Sequence, residues 1–182
     1  MARLNAGDKF PDFKVNTQYE DGTSISKIAD GKPLMVVVLR YIGCTSCRFD
    51  VQMIHENHDE FVKKGVNVVV VMQSKVESLR RDLKDEPLSF PIISDPDYEI
   101  YNALDIRPAK DMEELRGNAE DQAKRLAKKE KIAAYGFKHG EYEGIEEQLP
   151  AFFYLNADLT VKEAHYARSI ADMPTVEEML AK

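Results

Sequence analysis

Residues 33–48 read PLMVVVLRYIGCTSCR and join an apolar run to a pair of cysteines. The run over residues 33–40 is rich in β-branched side chains, which is typical of a central strand covered on both faces. Beyond the cysteines, apolar residues recur at helical spacing, and Gly65 is placed where a helix would end. The sequence therefore predicts a strand, a cysteine pair beyond its end, and a helix that begins at the pair.

A second apolar run, residues 66–71, follows this helix directly. A strand, a helix and a strand in this order predict two parallel strands joined by a right-handed crossover. The cysteine pair then lies at the carboxyl end of the first strand, which is the edge where open α/β sheets bind ligands. Position alone marks the pair as a candidate site.

The remaining patterns complete an α/β fold in which a central mixed sheet is flanked by helices. We expect a strand at residues 12–15, helices over 77–84 and 98–103, a strand at 90–93, a hairpin of residues 150–155 and 161–166, and a final helix over 175–181. Residues 110–132 are densely charged with sparse apolar positions, which predicts an exposed helical excursion. We therefore expect a single domain over residues 1–182, with a helical insertion at residues 109–147 before the hairpin.

The composition is that of an ordinary globular domain, with 43% hydrophobic and 31% charged residues among 182. A net charge of −7 argues against nucleic acid or an anionic membrane as the main partner, because both are bound by clustered Lys and Arg. No apolar stretch has the length of a signal peptide or of a membrane span. Since the chain has only two cysteines, we expect a cytoplasmic protein whose thiols serve chemistry rather than cross-linking.

The two thiols, Cys44 and Cys47, come within disulfide reach of each other if a helix begins at them. The positive end of a helix, together with cationic neighbours, lowers a cysteine pKa from about 8.5 to roughly 3.5–7.5. Arg40 and Arg48 flank the pair and are the candidate cations. The resulting thiolate attacks a disulfide sulfur or a peroxide oxygen, and the second thiol then closes an intramolecular disulfide.

Neighbouring residues have both functional and structural interpretations. Tyr41 is either a groove wall beside the thiols or a half-buried packing residue, and Thr45 and Ser46 are expected to cap the helix. The cysteines themselves would otherwise be two inert buried thiols or half of a zinc site. Zinc is disfavoured because there is no second cysteine pair, and because His55 and His58 both lie on the following helix. We therefore expect no metal and no cofactor.

Four segments together match a known family: residues 7–13 (GDKFPDF), 40–47 (RYIGCTSC), 91–96 (PIISDP) and the Leu-Pro pair at 149–150. With these motifs the chain resembles the peroxiredoxin-like branch of the alkyl hydroperoxide reductase and thiol-specific antioxidant (AhpC/TSA) family, except over residues 110–147. The resemblance implies a thioredoxin fold with a reactive cysteine in the first turn of the helix. It also implies that Pro150 is a cis-proline that faces the thiols and shapes the substrate groove.

The chain departs from this family at positions that activate peroxide. Typical members carry a proline, a threonine or serine three residues before the reactive cysteine, and an arginine. When the chain is aligned on Cys47, Arg40 takes the proline position and Cys44 the threonine position, while Tyr98 stands where the arginine is expected. A guanidinium would then come from Arg40, Arg48, Arg107 or Arg168. Dithiol exchange needs only the thiols, a low pKa and a groove.

We therefore expect a thiol-disulfide oxidoreductase or a thiol peroxidase in which Cys44 and Cys47 cycle between dithiol and disulfide. The thioredoxin analogy makes Cys44 the attacking thiol, whereas the peroxiredoxin alignment makes it Cys47. The substrate is a peroxide or a disulfide, and the reductant is a thioredoxin-type protein or a small thiol. A redox-sensing or binding module without turnover is the alternative. The charged excursion is a lid, a homodimer contact or a solvated face, and we favour the last.

Overall fold

The structure is a computed structural model that describes residues 3–182. Its strands are β1 (Lys14–Thr17), β2 (Thr23–Ser24), β3 (Leu34–Val38), β4 (Asn67–Met72), β5 (Ile92–Ser94), β6 (Ala151–Leu155) and β7 (Val161–Tyr166). Its helices are α1 (Ile25–Ala29), α2 (Thr45–Glu56), α3 (His58–Lys63), α4 (Val76–Asp82), α5 (Glu99–Ala103), α6 (Met112–Arg116), α7 (Ala119–Tyr135) and α8 (Val176–Leu180). The strands form one mixed sheet in the order β2-β1-β5-β4-β3-β6-β7.

The central strand β3 is buried along its whole length, as the apolar run predicts. It pairs parallel with β4, where Val36 lies opposite Val69, and antiparallel with β6. Val37 packs into a core with Val51 of α2, while Val36 packs into a second core with Ile100 of α5 on the opposite face. Burial of each such side chain contributes roughly 1.5–3 kcal/mol, so both helical layers hold this strand in place. The predicted parallel pairing of these two strands is confirmed.

The helix after the cysteines is interrupted, which the sequence does not predict. The single expected helix is divided at Asn57 into α2 and α3. The Asn57 side chain donates to the main-chain oxygen of Met53 at 2.9 Å, and such local bonds compete with a continuing helix. The expected end is confirmed, because Gly65 adopts a φ of +68° directly after α3.

Elements with strong local signals form close to where they are expected. The hairpin is confirmed as β6 and β7, with Phe153 opposite Ala164. The final helix is confirmed as α8, where Thr175 and Glu178 form a capping box. The strand expected at residues 12–15 begins later, at Lys14. The elements β2 and α1 are too short to show a hydrophobic period, and the sequence does not predict them.

The charged excursion forms α6 and α7, and α7 has no buried side chain. It contacts α2 through an ion pair of 2.6 Å between Lys128 Nζ and Asp50 Oδ1, and through the rings of Phe49 and Tyr135. Residues 137–148, here termed the strap, then return across the loop that precedes α2. Among residues 3–182 no helix has the length and apolar character that a membrane span requires.

Candidate active site

Cys44 is the N-cap of α2, and Cys47 lies in the first turn of the same helix. Cys44 has extended backbone angles (φ −73°, ψ 117°), and its Sγ accepts a hydrogen bond from the Cys47 amide at 3.4 Å. The predicted caps Thr45 and Ser46 do not fill this role, because both already lie inside the helix. The Cys44 sulfur therefore sits among the free N–H groups of a helix N-terminus, which favour a negative charge.

The Arg40 guanidinium joins Cys44 to the strap. Its Nη2 donates to the Cys44 Sγ at 2.8 Å, and its Nη1 donates to the main-chain oxygen of Glu146 at 2.6 Å. The Arg40 side chain is 11% exposed, and its buried Nε has no hydrogen-bond partner among residues 3–182. Arg40 follows shortly after the end of β3 at Val38. It therefore lies at the sheet edge where α2 begins.

The two thiols have opposite pKa shifts. A hydrogen bond from the Cys47 thiol, the charge of Arg40 and the Cys47 amide lower the pKa of Cys44 to about 6, although burial opposes this shift. The same hydrogen bond and burial raise the pKa of Cys47 well above its ordinary value. The shifts therefore favour the form in which Cys44 is the thiolate and Cys47 is the thiol that donates to it.

Tyr41 is buried beneath the strap. Its ring centroid lies 5.7 Å from the Arg40 guanidinium carbon, and its hydroxyl donates to the carboxylate of Glu146. The rings of His139 and Tyr142 stack at 4.2 Å, and both contact the Tyr41 ring. Tyr41 thus packs, fully buried, between the cysteine loop and the strap, which is the packing role of the two that the sequence leaves open.

The strap approaches the cysteine loop so closely that glycine is needed on both sides. The Gly140 amide donates to the Gly43 oxygen at 2.8 Å, and a Cβ on Gly43 would lie 2.2 Å from the main-chain oxygen of Glu141. Gly144 has a φ of +106°, and a Cβ there would lie 2.2 Å from Oε1 of Gln73. A side chain on Gly43 would separate the strap from the cysteine loop, and one on Gly144 would displace the Gln73 side chain.

Three of the expected site residues line a cavity, and a fourth turns away from the sulfurs. The Arg48 guanidinium pairs with Glu86 at 3.1 Å instead of contacting a thiol. Thr45, Ser46 and Arg40 line a cavity of about 740 Å³ between α2, α7 and the segment that leads into α8. Much of its remaining wall is apolar, including Phe49, Met53, Leu126, Met173 and Met179. A cavity of this size is typical of small-molecule sites.

The Leu149–Pro150 peptide bond is trans, so the expected cis-proline is wrong. Val38 pairs with Ala151, which places Pro150 at the sheet edge that carries the cysteine loop. The chain approaches Pro150 in an extended path, because Gln148 forms an antiparallel bridge to the segment before α6 and β6 follows at once. An extended approach needs no reversal at the proline, and the trans bond is the favoured form.

Sequence reasoning does not find the residues that the rest of the chain contributes. Glu146 lies 106 residues from Arg40. The Gln73 amide donates to the Arg40 oxygen at 2.7 Å, while its side chain accepts from the amide of Ile145 at 2.9 Å. The one local signal is the series of glycines at 136, 140 and 144, since repeated glycines in a polar segment mark close backbone approach.

In residues 3–182, no group of three or more His, Cys, Asp or Glu side chains is arranged to hold a metal ion. The two helical histidines have structural contacts instead. His55 Nδ1 accepts from the Ser89 amide at 3.2 Å, and His58 stacks on the ring of Phe90.

The chain is similar to known peroxiredoxins in sequence. A Mycobacterium tuberculosis (H37Rv) protein named "Putative peroxiredoxin" is 35% identical over 106 residues, which are 56% of this chain and 64% of that protein. Peroxiredoxin Bcp of Escherichia coli K12 is 31% identical over 102 residues, which are 55% of this chain and 64% of that protein. The chain thus covers less than two thirds of the length of either relative.

The fold is shared with solved structures. The bacterioferritin comigratory protein of Xanthomonas campestris superposes with a TM-score of 0.67 at 16% identity, over 97% of this chain and 96% of that chain. At this identity the superposition establishes the thioredoxin-type α/β fold alone. The family model described as AhpC/TSA family matches residues 6–164, which include the cysteine loop, the strap and most of the sheet. By this match the chain belongs to the AhpC/TSA family.

Proposed function

We propose that this protein reduces peroxides, with Cys44 as the attacking thiolate and Cys47 as the thiol that closes the disulfide. The observation that carries the proposal is the Cys44 Sγ, which accepts from the Arg40 guanidinium at 2.8 Å and from the Cys47 amide at 3.4 Å. These donors stabilise the sulfur anion, and a pKa of about 6 keeps it ionised at neutral pH. Family membership supports peroxide reduction, while the choice of Cys44 over the Cys47 of the family alignment rests on the contacts of its sulfur.

The reaction proceeds in two covalent steps. The Cys44 thiolate attacks the terminal peroxide oxygen, the O–O bond breaks, and the leaving oxygen takes up a proton to become an alcohol or water. Cys44 now carries a sulfenic acid, and the Cys47 thiol attacks its sulfur, so that an S–S bond forms and water leaves. A thioredoxin-type protein or a small thiol then reduces the disulfide by supplying two electrons and two protons.

Burial of the sulfurs favours a peroxide over a protein disulfide as the oxidant. Cys44 is 2% exposed and Cys47 is 4% exposed. A peroxide group is small enough to enter such a site. A disulfide in a protein is attached to a bulky backbone, which would have to enter the site with it before the sulfurs could react. The cavity beside Thr45 and Ser46 adjoins the first turn of α2 and is the proposed route for the substrate.

Peroxide consumption in the presence of excess dithiol tests the proposal. We expect the wild-type protein to turn over hydrogen peroxide with dithiol present and, after one equivalent of peroxide without dithiol, to contain a Cys44–Cys47 disulfide in peptide mapping. Cys44→Ser abolishes consumption, because the attacking sulfur is gone. In the absence of dithiol, Cys47→Ser still reacts once and stops at a sulfenic acid that dimedone labels.

Two results would contradict the assignment of roles. The first is preferential labelling of Cys47 by limiting iodoacetamide at pH 7. The second is loss of the first oxidation in Cys47→Ser. A single stoichiometric oxidation of the wild type without turnover would refute the peroxidase and favour the redox-sensing module.

A further inference from the structure

The orientation of the Arg40 guanidinium depends on few partners. A guanidinium is a planar fork, so fixing one terminal nitrogen fixes the direction of the other. In Arg40, Nη2 contacts the Cys44 sulfur and Nη1 contacts Glu146, while the buried Nε has no partner among residues 3–182. Apart from the sulfur itself, Glu146 is therefore the hydrogen-bond acceptor that fixes the group.

Glu146 meets the cysteine loop through both its main chain and its side chain. The main-chain oxygen accepts from Arg40 Nη1 at 2.6 Å, and carboxylate Oε2 lies 3.7 Å from the same nitrogen. The other carboxylate oxygen accepts from the hydroxyl of the buried Tyr41. The hydrogen bond from Tyr41 fixes the position of Glu146. It thereby also fixes the main-chain oxygen that accepts from Arg40.

Other bonds attach the strap to the protein without touching Arg40. Gly140 donates to the Gly43 oxygen at 2.8 Å, and Ile145 donates to the Gln73 side chain at 2.9 Å. The Ser78 hydroxyl donates to the carboxylate of another strap residue, at 2.6 Å. These contacts keep the strap attached when the Glu146 side chain is removed, so a change in such a variant reports the loss of the carboxylate and its bond to Tyr41 and not detachment of the strap.

We propose that Glu146 is a positioning residue that, through its bond with Tyr41, holds Arg40 in the orientation that faces the Cys44 sulfur. The inference rests on the proposed function, because it concerns the thiol that attacks the peroxide. It extends the site from the cysteine loop to the strap, at a residue that no sequence motif marks.

Two effects of Glu146 on the thiol have opposite signs. The titratable groups around Arg40 are Cys44, Cys47, Tyr41 and Glu146, with His139 next to the Tyr41 hydroxyl. As a bare anion, Glu146 would raise the pKa of Cys44 by repulsion. As a positioning group, it lowers that pKa by keeping the cation on the sulfur. The sign of the change in a variant therefore distinguishes the two roles.

The test compares two variants of Glu146. Glu146→Ala removes the carboxylate and the bond to Tyr41, whereas Glu146→Gln removes the charge but keeps an acceptor for the hydroxyl. We expect Glu146→Ala to raise the pKa of Cys44 by about one unit, which slows alkylation by iodoacetamide at pH 6 about fivefold. In Glu146→Gln the pKa stays at the wild-type value or below it. Tyr41→Phe, which loses the same bond without a change of charge, raises the pKa as Glu146→Ala does.

The matched control is Glu147→Ala. It removes the same charge from the neighbouring residue, whose main-chain oxygen accepts from Ala109 at 2.8 Å, and its Cys44 pKa should equal that of the wild type. The proposal is overturned if Glu146→Ala leaves the pKa unchanged or lowers it, or if Glu146→Gln raises it equally. Alkylation requires no peroxide, so a failed peroxidase would show absent turnover while the pKa shift in Glu146→Ala persisted.

Discussion

Cys44 and Cys47 share one helical turn and both interact with the charge of Arg40, but Cys44 has the short guanidinium contact. Arg40 Nη2 reaches the Cys44 sulfur at 2.8 Å, and a charge-assisted bond of this kind is roughly twice as strong as a neutral one. The Cys47 thiol is buried and donates to Cys44, which keeps it protonated. The proposed reaction needs this distribution of protons. The attacking residue Cys44 has lost its proton, and the resolving residue Cys47 has kept its own.

Replacing Arg40 with methionine tests the part that its charge plays. The neutral side chain has a similar length, so we expect the pKa of Cys44 to rise and the rate constant with hydrogen peroxide at pH 7 to fall about tenfold or more. Arg40→Lys should recover part of the loss, because a lysine supplies the charge but cannot donate to two partners from one planar group.

The measurement is the pH profile of the rate constant, which in the wild type should rise through about pH 6 and then level off. Arg48→Met is the control, since Arg48 pairs with Glu86. An unchanged midpoint in Arg40→Met would contradict the role of Arg40.

At the level of elements, α7 is a long helix that depends on a few contacts. Its 17 residues include no buried side chain. The ion pair of Lys128 with Asp50 is partly exposed, and pairs of this kind contribute about 0–1 kcal/mol. The edge-to-face contact of Tyr135 with Phe49, at 5.4 Å, supplies most of its aromatic packing on α2. Because an isolated helix of this length is marginal in water, α7 should open locally more readily than the core strands.

Hydrogen exchange measures this local opening. We expect the amides of α7 to exchange much faster than those of β3 and β4 in the wild-type protein. Tyr135→Ala removes the contact with Phe49 and should speed exchange in α7 about tenfold, with no change in the central strands. Leu126→Ala is the matched control, because the Leu126 side chain is 63% exposed. Equal protection of α7 and β3 would show that the helix is held more firmly than its contacts indicate.

For the whole molecule, the ionisation of Cys44 links the site to stability. Its pKa of about 6 in the folded protein lies below the ordinary value of about 8.5 for an unfolded chain. Between these values the unfolded chain binds a proton that the folded protein has released, so stability rises with pH. The stabilisation that Cys44 ionisation contributes is complete above the pKa of Cys44 in the unfolded chain. It is lost as the pH falls through about 6.

Urea unfolding under reducing conditions tests this link. From pH 6 to pH 8 the free energy of unfolding of the wild type should rise by about 2 kcal/mol more than that of Cys44→Ser. The comparison with Cys44→Ser cancels the titration of the histidines, which both proteins share. Identical pH dependence in the two proteins would mean that Cys44 is not a thiolate at neutral pH.

The core of the fold follows from local sequence. The apolar run of β3, the turn residues of the hairpin and the Thr175 cap act over a few positions, so periodicity and capping suffice to place them. Local patterns fail where a single bond overrides them. Asn57 divides the expected helix, and Cys44 takes the cap that Thr45 and Ser46 were expected to provide.

The chain order alone places two thiols at the start of a helix beyond the end of a central strand, because strand and helix signals are read from neighbouring residues. Which thiol ionises is a tertiary property. It depends on Arg40, whose direction is set by Glu146 from 106 residues away, and on the burial of both cysteines. Coulomb and hydrogen-bond energies depend on distances between atoms in space, and chain order does not contain those distances.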